Sequence, residues 1–282
     1  MEAGSIEPLN GIYKNAFNLI IGAQGRGKTY HANDLISKNT RYFDEVKKFA
    51  PGGSCGEFDG DVNDLIRYLE DRVRKSSSMK EDIKAVKALQ TAITTGDVRI
   101  AQEAGLTKTK LDFLMEAYPT MSDVGKIKPA LVLIDDMGGD PVIKKSETIF
   151  NDIARRLRHL QVTIIFNAHQ YKDLAPFVRS NTQMLYLHGG LPIRDLKLIC
   201  QERRVPNIGN YRDLEARYEG MTNANFFGWF PVDFYGKQQY NLNPPKAKPG
   251  TGEVQPKRDK PIEHSKITTD INDNPLIGKV KI

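Results

Sequence analysis

Gly22-Ala23-Gln24-Gly25-Arg26-Gly27-Lys28-Thr29 decides the fold. Two glycines bracket four residues and are followed by Lys-Thr, the spacing of a P-loop. An apolar run, Ala16 to Ile21, leads into it, and a helical pattern from about Lys28 to Ser37 leads out. The chemistry explains the spacing. Glycines let the backbone wrap a phosphate with its N–H groups inward, and the following helix adds a positive field at its N-terminus. Lys28 is expected to reach the β- and γ-phosphates, and the Thr29 hydroxyl to ligate Mg²⁺. Residues 22–30, ending at Tyr30, therefore form the expected ATP-binding segment. A glycine turn that chances to precede Lys-Thr would not have a strand and a helix agreeing on its two sides.

A second apolar run ends in two acids, Leu131-Val-Leu-Ile-Asp135-Asp136. This is the Walker B arrangement. Asp135 would hold Mg²⁺ through water, and Asp136 would polarise the attacking water as general base. Strand ends face loops, so acids there are common; pairing with the P-loop gives these two their meaning. Aspartate at the second position is one methylene shorter than glutamate.

Working outward, strand-like runs alternate with helical patterns, which predicts an α/β fold with a mainly parallel sheet flanked by helices. Strands are expected at Tyr42–Ala50, Leu131–Ile134, Val162–Phe166 and Gln183–Leu187, with a late hairpin from Phe226–Asp233 and Gln239–Leu242. A helix is expected near Glu147–Leu160. Val62, Leu65, Ile66, Leu69 and Val73 share one helix face behind a capping Asp61. More helix is expected over Glu81–Ile93 and Lys108–Ala117, making a helical insertion at about 61–125. Prolines 244, 245, 249, 256, 261 and 275 punctuate a Lys-rich stretch, so 244–282 reads as a disordered tail after an ATPase domain at 1–243. There is no internal repeat.

The 282 residues are 39% hydrophobic and 27% charged, as expected of a soluble protein with a proper core. No apolar run approaches the roughly 20 residues that cross a bilayer, and the N-terminus has no secretory pattern. Two cysteines, Cys55 and Cys200, make neither a disulfide framework nor a zinc cluster, and they suit a reducing compartment. A net charge of +6 permits a polyanionic partner without requiring one.

Two further segments narrow the reading: Ala154-Arg-Arg-Leu-Arg158-His159 running on to His169-Gln170, and Leu174-Ala-Pro-Phe-Val-Arg179-Ser-Asn181. With the late Phe226-Phe-Gly-Trp-Phe-Pro-Val-Asp233, they make the chain resemble the FtsK–HerA superfamily of DNA-pumping ATPases. Within it, the chain looks most like the DNA packaging ATPases of large eukaryotic DNA viruses and virophages. The resemblance covers roughly 15–243, interrupted by the insertion, and implies a RecA-like (ASCE) P-loop NTPase fold. By position it implies that Gln170 is a sensor near the γ-phosphate. It makes Arg158 the first choice, and Arg179 the second, for an arginine finger acting on a neighbour's nucleotide. The bland alternative is that Arg155, Arg156 and Arg158 serve only the dipole of a helix C-terminus.

The resemblance further implies sequence-independent double-stranded DNA as partner, a homo-oligomeric ring (pentamer or hexamer), and a capsid vertex or portal component. The expected location is the host cytoplasm or viral factory, or the virion, with no membrane. Lys144-Lys145 and the basic tail are candidate DNA contacts, and solvated surface charge is the default for both. Two competing functions remain. One is another motor of the superfamily, serving conjugation or chromosome transfer. The other is a P-loop kinase or nucleotide-gated switch, disfavoured by the paired acids and the Arg-rich helix end.

Overall fold

The structure, a computed structural model, describes residues 5–52, 57–107, 109–110, 127–144 and 149–238. The expected tail at 244–282, the helix expected over Lys108–Ala117 apart from residues 109–110, Cys55, Lys145 and the second hairpin arm at Gln239–Leu242 lie outside these residues.

The strands are β1 (Phe17–Ile21), β2 (Glu45–Phe49), β3 (Ala130–Asp135), β4 (Val162–Ala168), β5 (Thr182–His188) and β6 (Trp229–Asp233). They form one sheet in the order β2-β3-β4-β1-β5-β6. The first five are mutually parallel, and β6 joins β5 antiparallel. β4 thus separates the P-loop strand β1 from the acid-bearing strand β3, the RecA-like arrangement of a P-loop NTPase. Parallel strands need both faces covered, and β1 is buried along its whole length. Phe17, Leu19 and Ile21 point into one core layer with Val132, Ile134, Ile164 and Phe166. Ile20 points into the other with Leu131, Leu133 and Ile165. That is the two-residue period of a strand.

Helix α1 (Lys28–Asn39) covers the second layer with Ala32, Leu35 and Ile36. The first layer is covered by α2 (Val62–Thr95) and, beyond α3 (Val98–Glu103) and α4 (Pro141–Lys144), by α5 (Ile149–Arg155), α6 (Leu157–Leu160), α7 (Pro176–Ser180), α8 (Ile193–Glu202) and α9 (Tyr211–Ala224). Charged elements of α2 expected as separate pieces are one helix of 34 residues. No Gly or Pro interrupts it, and Ser77 satisfies its hydroxyl on the Val73 carbonyl at 3.0 Å. Asp61 caps it, accepting from the Asn63 and Asp64 amides, while Asp64 reaches back to the Asp61 amide.

One expectation needs correction. The described part of the helix near Glu147–Leu160 breaks at Arg156, whose φ of −108° and ψ of 8° leave the helical region. The first arm of the expected late hairpin contains β6, which pairs with β5, a contact the sequence did not suggest. Pro231 has no N–H to give, which an edge strand tolerates.

Candidate active site

Lys28, Thr29, Asp135 and Asp136 meet at the carboxyl edge of the sheet, because β1 and β3 are parallel and one strand apart. Gly22 is fixed by space. A Cβ there would lie 2.5 Å from the Cβ of His188 at the end of β5. Gly27 is fixed by backbone, with φ +78° in the left-handed region. It caps α1 without any side-chain bond to the first-turn amides, which leaves those N–H groups to an anion.

The Lys28 ammonium donates to the Gly22 carbonyl at 2.9 Å and the Ala23 carbonyl at 3.1 Å. It also lies 3.2 Å from His169 Nδ1. Burial pulls its pKa down, and the charges of Asp136 and Asp135 oppose that pull. An ammonium has donors only. His169 Nδ1 therefore accepts, the ring carries its proton on Nε2, and Nε2 donates to Asp136 Oδ2 at 2.8 Å. His169 bridges the phosphate-binding lysine and the candidate base.

The Thr29 hydroxyl donates to Asp135 Oδ2 at 3.0 Å, and Asn167 Nδ2 donates to Asp135 Oδ1 at 2.8 Å. Asn167 lies on β4, beside Asp135 in register. One hydroxyl, one buried carboxylate and room for phosphate oxygens suit Mg²⁺, which keeps most of its water and takes few protein ligands. The residues present fit that ion.

Asp136 follows β3 at φ +58°, a left-handed conformation that non-glycine residues adopt at a cost of roughly 1 kcal/mol. Its amide donates to the Asn167 carbonyl at 3.2 Å, which holds the bend. The bend turns the carboxylate outward, half exposed, into a cavity of about 480 Å³ lined by Pro51, Gly52, Asp61, Val62, Met137, Gly139 and Asp140.

Beneath the loop, His188 Nδ1 lies 2.9 Å from the Arg26 carbonyl, and His188 Nε2 lies 2.8 Å from His31 Nδ1. The carbonyl can only accept, so His188 carries its proton on Nδ1 and accepts from His31. Burial is the main cause of depressed pKa values in both rings, to about 3 for His31 and about 4 for His188. His31 also stacks on Trp229 of β6 at 4.8 Å. The Arg26 side chain lies over the Phe226 ring at 4.1 Å, against Gly189.

Gln170 Oε1 accepts from Arg194 Nη2 at 2.9 Å. Arg158 is exposed on α6, at the amino edge of the sheet. It is separated from the carboxyl edge by the seven residues of β4, roughly 20 Å. Arg179 is buried. It holds Glu202 through Nε and Nη2 at 2.5 to 3.1 Å and the Leu174 carbonyl through Nη1 at 2.6 Å. Lys144 ends α4. Ala23 approaches Gly190, and Gln24, Gly25 and Tyr30 are exposed around the loop.

Sequence reasoning left Asn167, His31 and His188 unassigned, and gave His169 no role. A polar residue closing an apolar strand beside the P-loop strand was the available signal: Asn167-Ala-His169 ends β4, and His188 ends β5.

No protein-family model and no curated protein matches the chain. Among solved structures it is similar to the genome packaging NTPase B204 from Sulfolobus turreted icosahedral virus 2. In complex with sulfate, that protein shows 12% identity over 80% of this chain and 94% of that chain, with a TM-score of 0.42. In complex with AMPPCP the values are 15%, 74%, 86% and 0.38. The pCW3 conjugation coupling protein TcpA with ATPγS shows 9% identity over 72% of this chain and 54% of that chain, with a TM-score of 0.36. The fold assignment rests on the strand order given above. No described helix is long and apolar enough to cross a membrane.

Proposed function

We propose that the chain is a Mg-ATP-hydrolysing motor that moves double-stranded DNA and packages a viral genome. The observation that carries the ATPase reading is the convergence of Lys28, Thr29, Asp135 and Asp136, with His169 joining the first to the last. Lys28 leaves the loop carbonyls for the β- and γ-phosphates. Thr29 and Asp135 would hold Mg²⁺, which would supply charge neutralisation to the phosphates. Asp136 takes the proton of the attacking water, and the new P–O bond forms as the bond from γ-phosphorus to the bridging oxygen breaks. The end of β4, with His169 against both groups and Gln170 tied to Arg194, senses the γ-phosphate.

Support for a ring comes from Arg158. It is exposed and lies at the sheet edge opposite its own P-loop, out of reach of its own nucleotide, as a finger acting on a neighbour would be. Arg179 is the alternative finger, and it would have to give up Glu202 first. DNA and capsid enter through the motif resemblance and through the net charge of +6. In this reading the ATPase domain spans 1–243 and the tail follows it. The partners are a ring of five or six copies and a capsid vertex, in host cytoplasm or virus factory.

The test is ATP hydrolysis with and without double-stranded DNA, read beside mass by light scattering. DNA-stimulated hydrolysis by a ring is expected. Hydrolysis indifferent to DNA, by a monomer, removes the motor and leaves only the nucleotide site.

A further inference from the structure

Large apolar side chains exposed to water are few among the described residues, and three aromatic ones gather at the P-loop. Tyr30 is 82% exposed, Phe226 58% and Phe227 60%. The two phenylalanines sit in the turn between α9 and β6. Their rings meet edge to face at 5.1 Å. The turn is built to hold them there. Asn225 Oδ1 accepts from the Phe227 amide at 3.0 Å, and a Cβ on Gly228 would lie 2.5 Å from the Met221 carbonyl oxygen. Phe227 then lies against the loop itself, 3.1 Å from where a Cβ on Gly27 would stand. The Arg26 guanidinium lies 4.1 Å from the centre of the Phe226 ring. Tyr30 follows Gly27 by three residues, so it stands on the adjoining helical face.

Aromatic surface left open to water costs free energy unless something covers it. Here its location names the cover. The amides at the end of the loop and the start of α1 are the ones that cradle the α- and β-phosphates. Only a ribose separates an α-phosphate from its base, so the base of a nucleotide seated in the loop falls within reach of Gly27's neighbours. We propose that Phe226 and Phe227, with Arg26 over the Phe226 ring, form a stacking platform for the nucleobase; this rests on the reading of the P-loop as a nucleotide site. Every base has a π-face, and stacking on a ring is tolerant of base identity. The platform therefore discriminates little between bases and takes ATP and GTP alike.

The experiment measures dissociation constants of the full chain, with Mg²⁺, for ATP, GTP and inorganic tripolyphosphate. The unaltered chain is expected to bind ATP and GTP within about fivefold of each other. Phe227→Ala is expected to weaken both by roughly tenfold while leaving tripolyphosphate unchanged, and Phe227→Trp to restore them. Phe226→Ala should act in the same sense. Equal weakening of tripolyphosphate overturns the platform, because Phe227 would then act only by supporting the Gly27 turn. So does indifference of all three ligands to both phenylalanines. A chain that binds ATP in a Lys28-dependent manner yet ignores these variants loses the platform and keeps the P-loop reading. A chain that binds neither ATP nor tripolyphosphate loses both.

Discussion

His169 holds Asp136 at 2.8 Å with one ring nitrogen and faces Lys28 at 3.2 Å with the other. The group that would grip the phosphate and the group that would take the water's proton are thus linked through one imidazole, before any nucleotide arrives. Seating a triphosphate would draw Lys28 away and leave the ring without its donor on that side. The orientation of Asp136 would then be coupled to occupancy of the loop.

Lys28→Ala is expected to abolish hydrolysis while the fold survives. Asp136→Asn should bind ATP and turn over at least about a hundredfold more slowly, the usual weight of a general base. Wild-type turnover in Asp136→Asn would remove the base assignment. His169→Ala should lower kcat and leave the dissociation constant for ATP within about twofold, since Lys28 and the loop amides, not His169, would grip the phosphates; a large loss of binding with kcat intact would contradict the link.

Arg158→Ala is expected to bind ATP and be nearly inactive, with a loss on the order of a thousandfold. Mixed with the inactive Lys28→Ala protein, part of the activity should return, because a Lys28→Ala subunit lends its arginine to a neighbour with an intact loop. Subunit exchange is checked first with labelled protein. Exchange without recovery sinks the trans role of Arg158.

Arg179→Ala should behave differently. Removing a buried guanidinium leaves the Leu174 carbonyl and Glu202 unpartnered, at a cost of about 2 kcal/mol, discounted because Glu202 is partly exposed. A drop in the denaturation midpoint with no rescue on mixing is expected. Rescue on mixing would instead make Arg179 the finger.

Acid should unfold the protein through the paired histidines. Their folded pKa values, about 3 for His31 and about 4 for His188, lie below the unfolded value of 6.5. The unfolded chain takes up protons first, so stability falls as pH drops below about 6.5 and the loss levels off near the folded values. By pH 5 each ring accounts for about 2 kcal/mol. Urea unfolding at pH 7.5 and 5.0 checks this. His31→Gln should flatten the dependence by about one proton, and an unchanged slope would show that the pair does not carry it.

DNA binding, if the motor reading holds, should be indifferent to sequence and fall steeply with salt as counterions are released. Filter binding from 50 to 200 mM salt at two unrelated sequences measures both. A preference for one sequence would point to base readout instead.

The strand–loop–helix around Gly22 to Thr29 was legible because its constraints are local. Gly27 is needed by the backbone wherever such a loop occurs, and the apolar runs of β1, β3, β4 and β5 are each buried in full or nearly so. The mainly parallel sheet followed from the alternation of strand and helix. The partners did not. Nothing near His31 in the chain points to His188, which lies 157 residues away. Asn167 and Asp135 are neighbours only because β4 inserts beside β3. Arg158 stood first and Arg179 second as the finger on motif position alone; only burial tells an exposed arginine from one locked on Glu202. The pairing of β6 with β5 escaped for a similar reason: its partner Thr182–His188 lies more than forty residues earlier in the chain.

Helix α2 touches both ends of this machinery. Its first residues, Asp61 and Val62, wall the cavity that holds Asp136. Eleven residues in, at the far edge of the sheet, buried Arg72 donates to the Lys128 carbonyl at 2.6 Å and the Leu160 carbonyl at 2.9 Å, the latter at the end of the short helix that carries Arg158. Ten helical steps span roughly 15 Å, too short and too well pinned to bend. The helix is therefore a stiff strut, so the wall of the Asp136 cavity and the short helix that carries Arg158 are fastened to one rigid element.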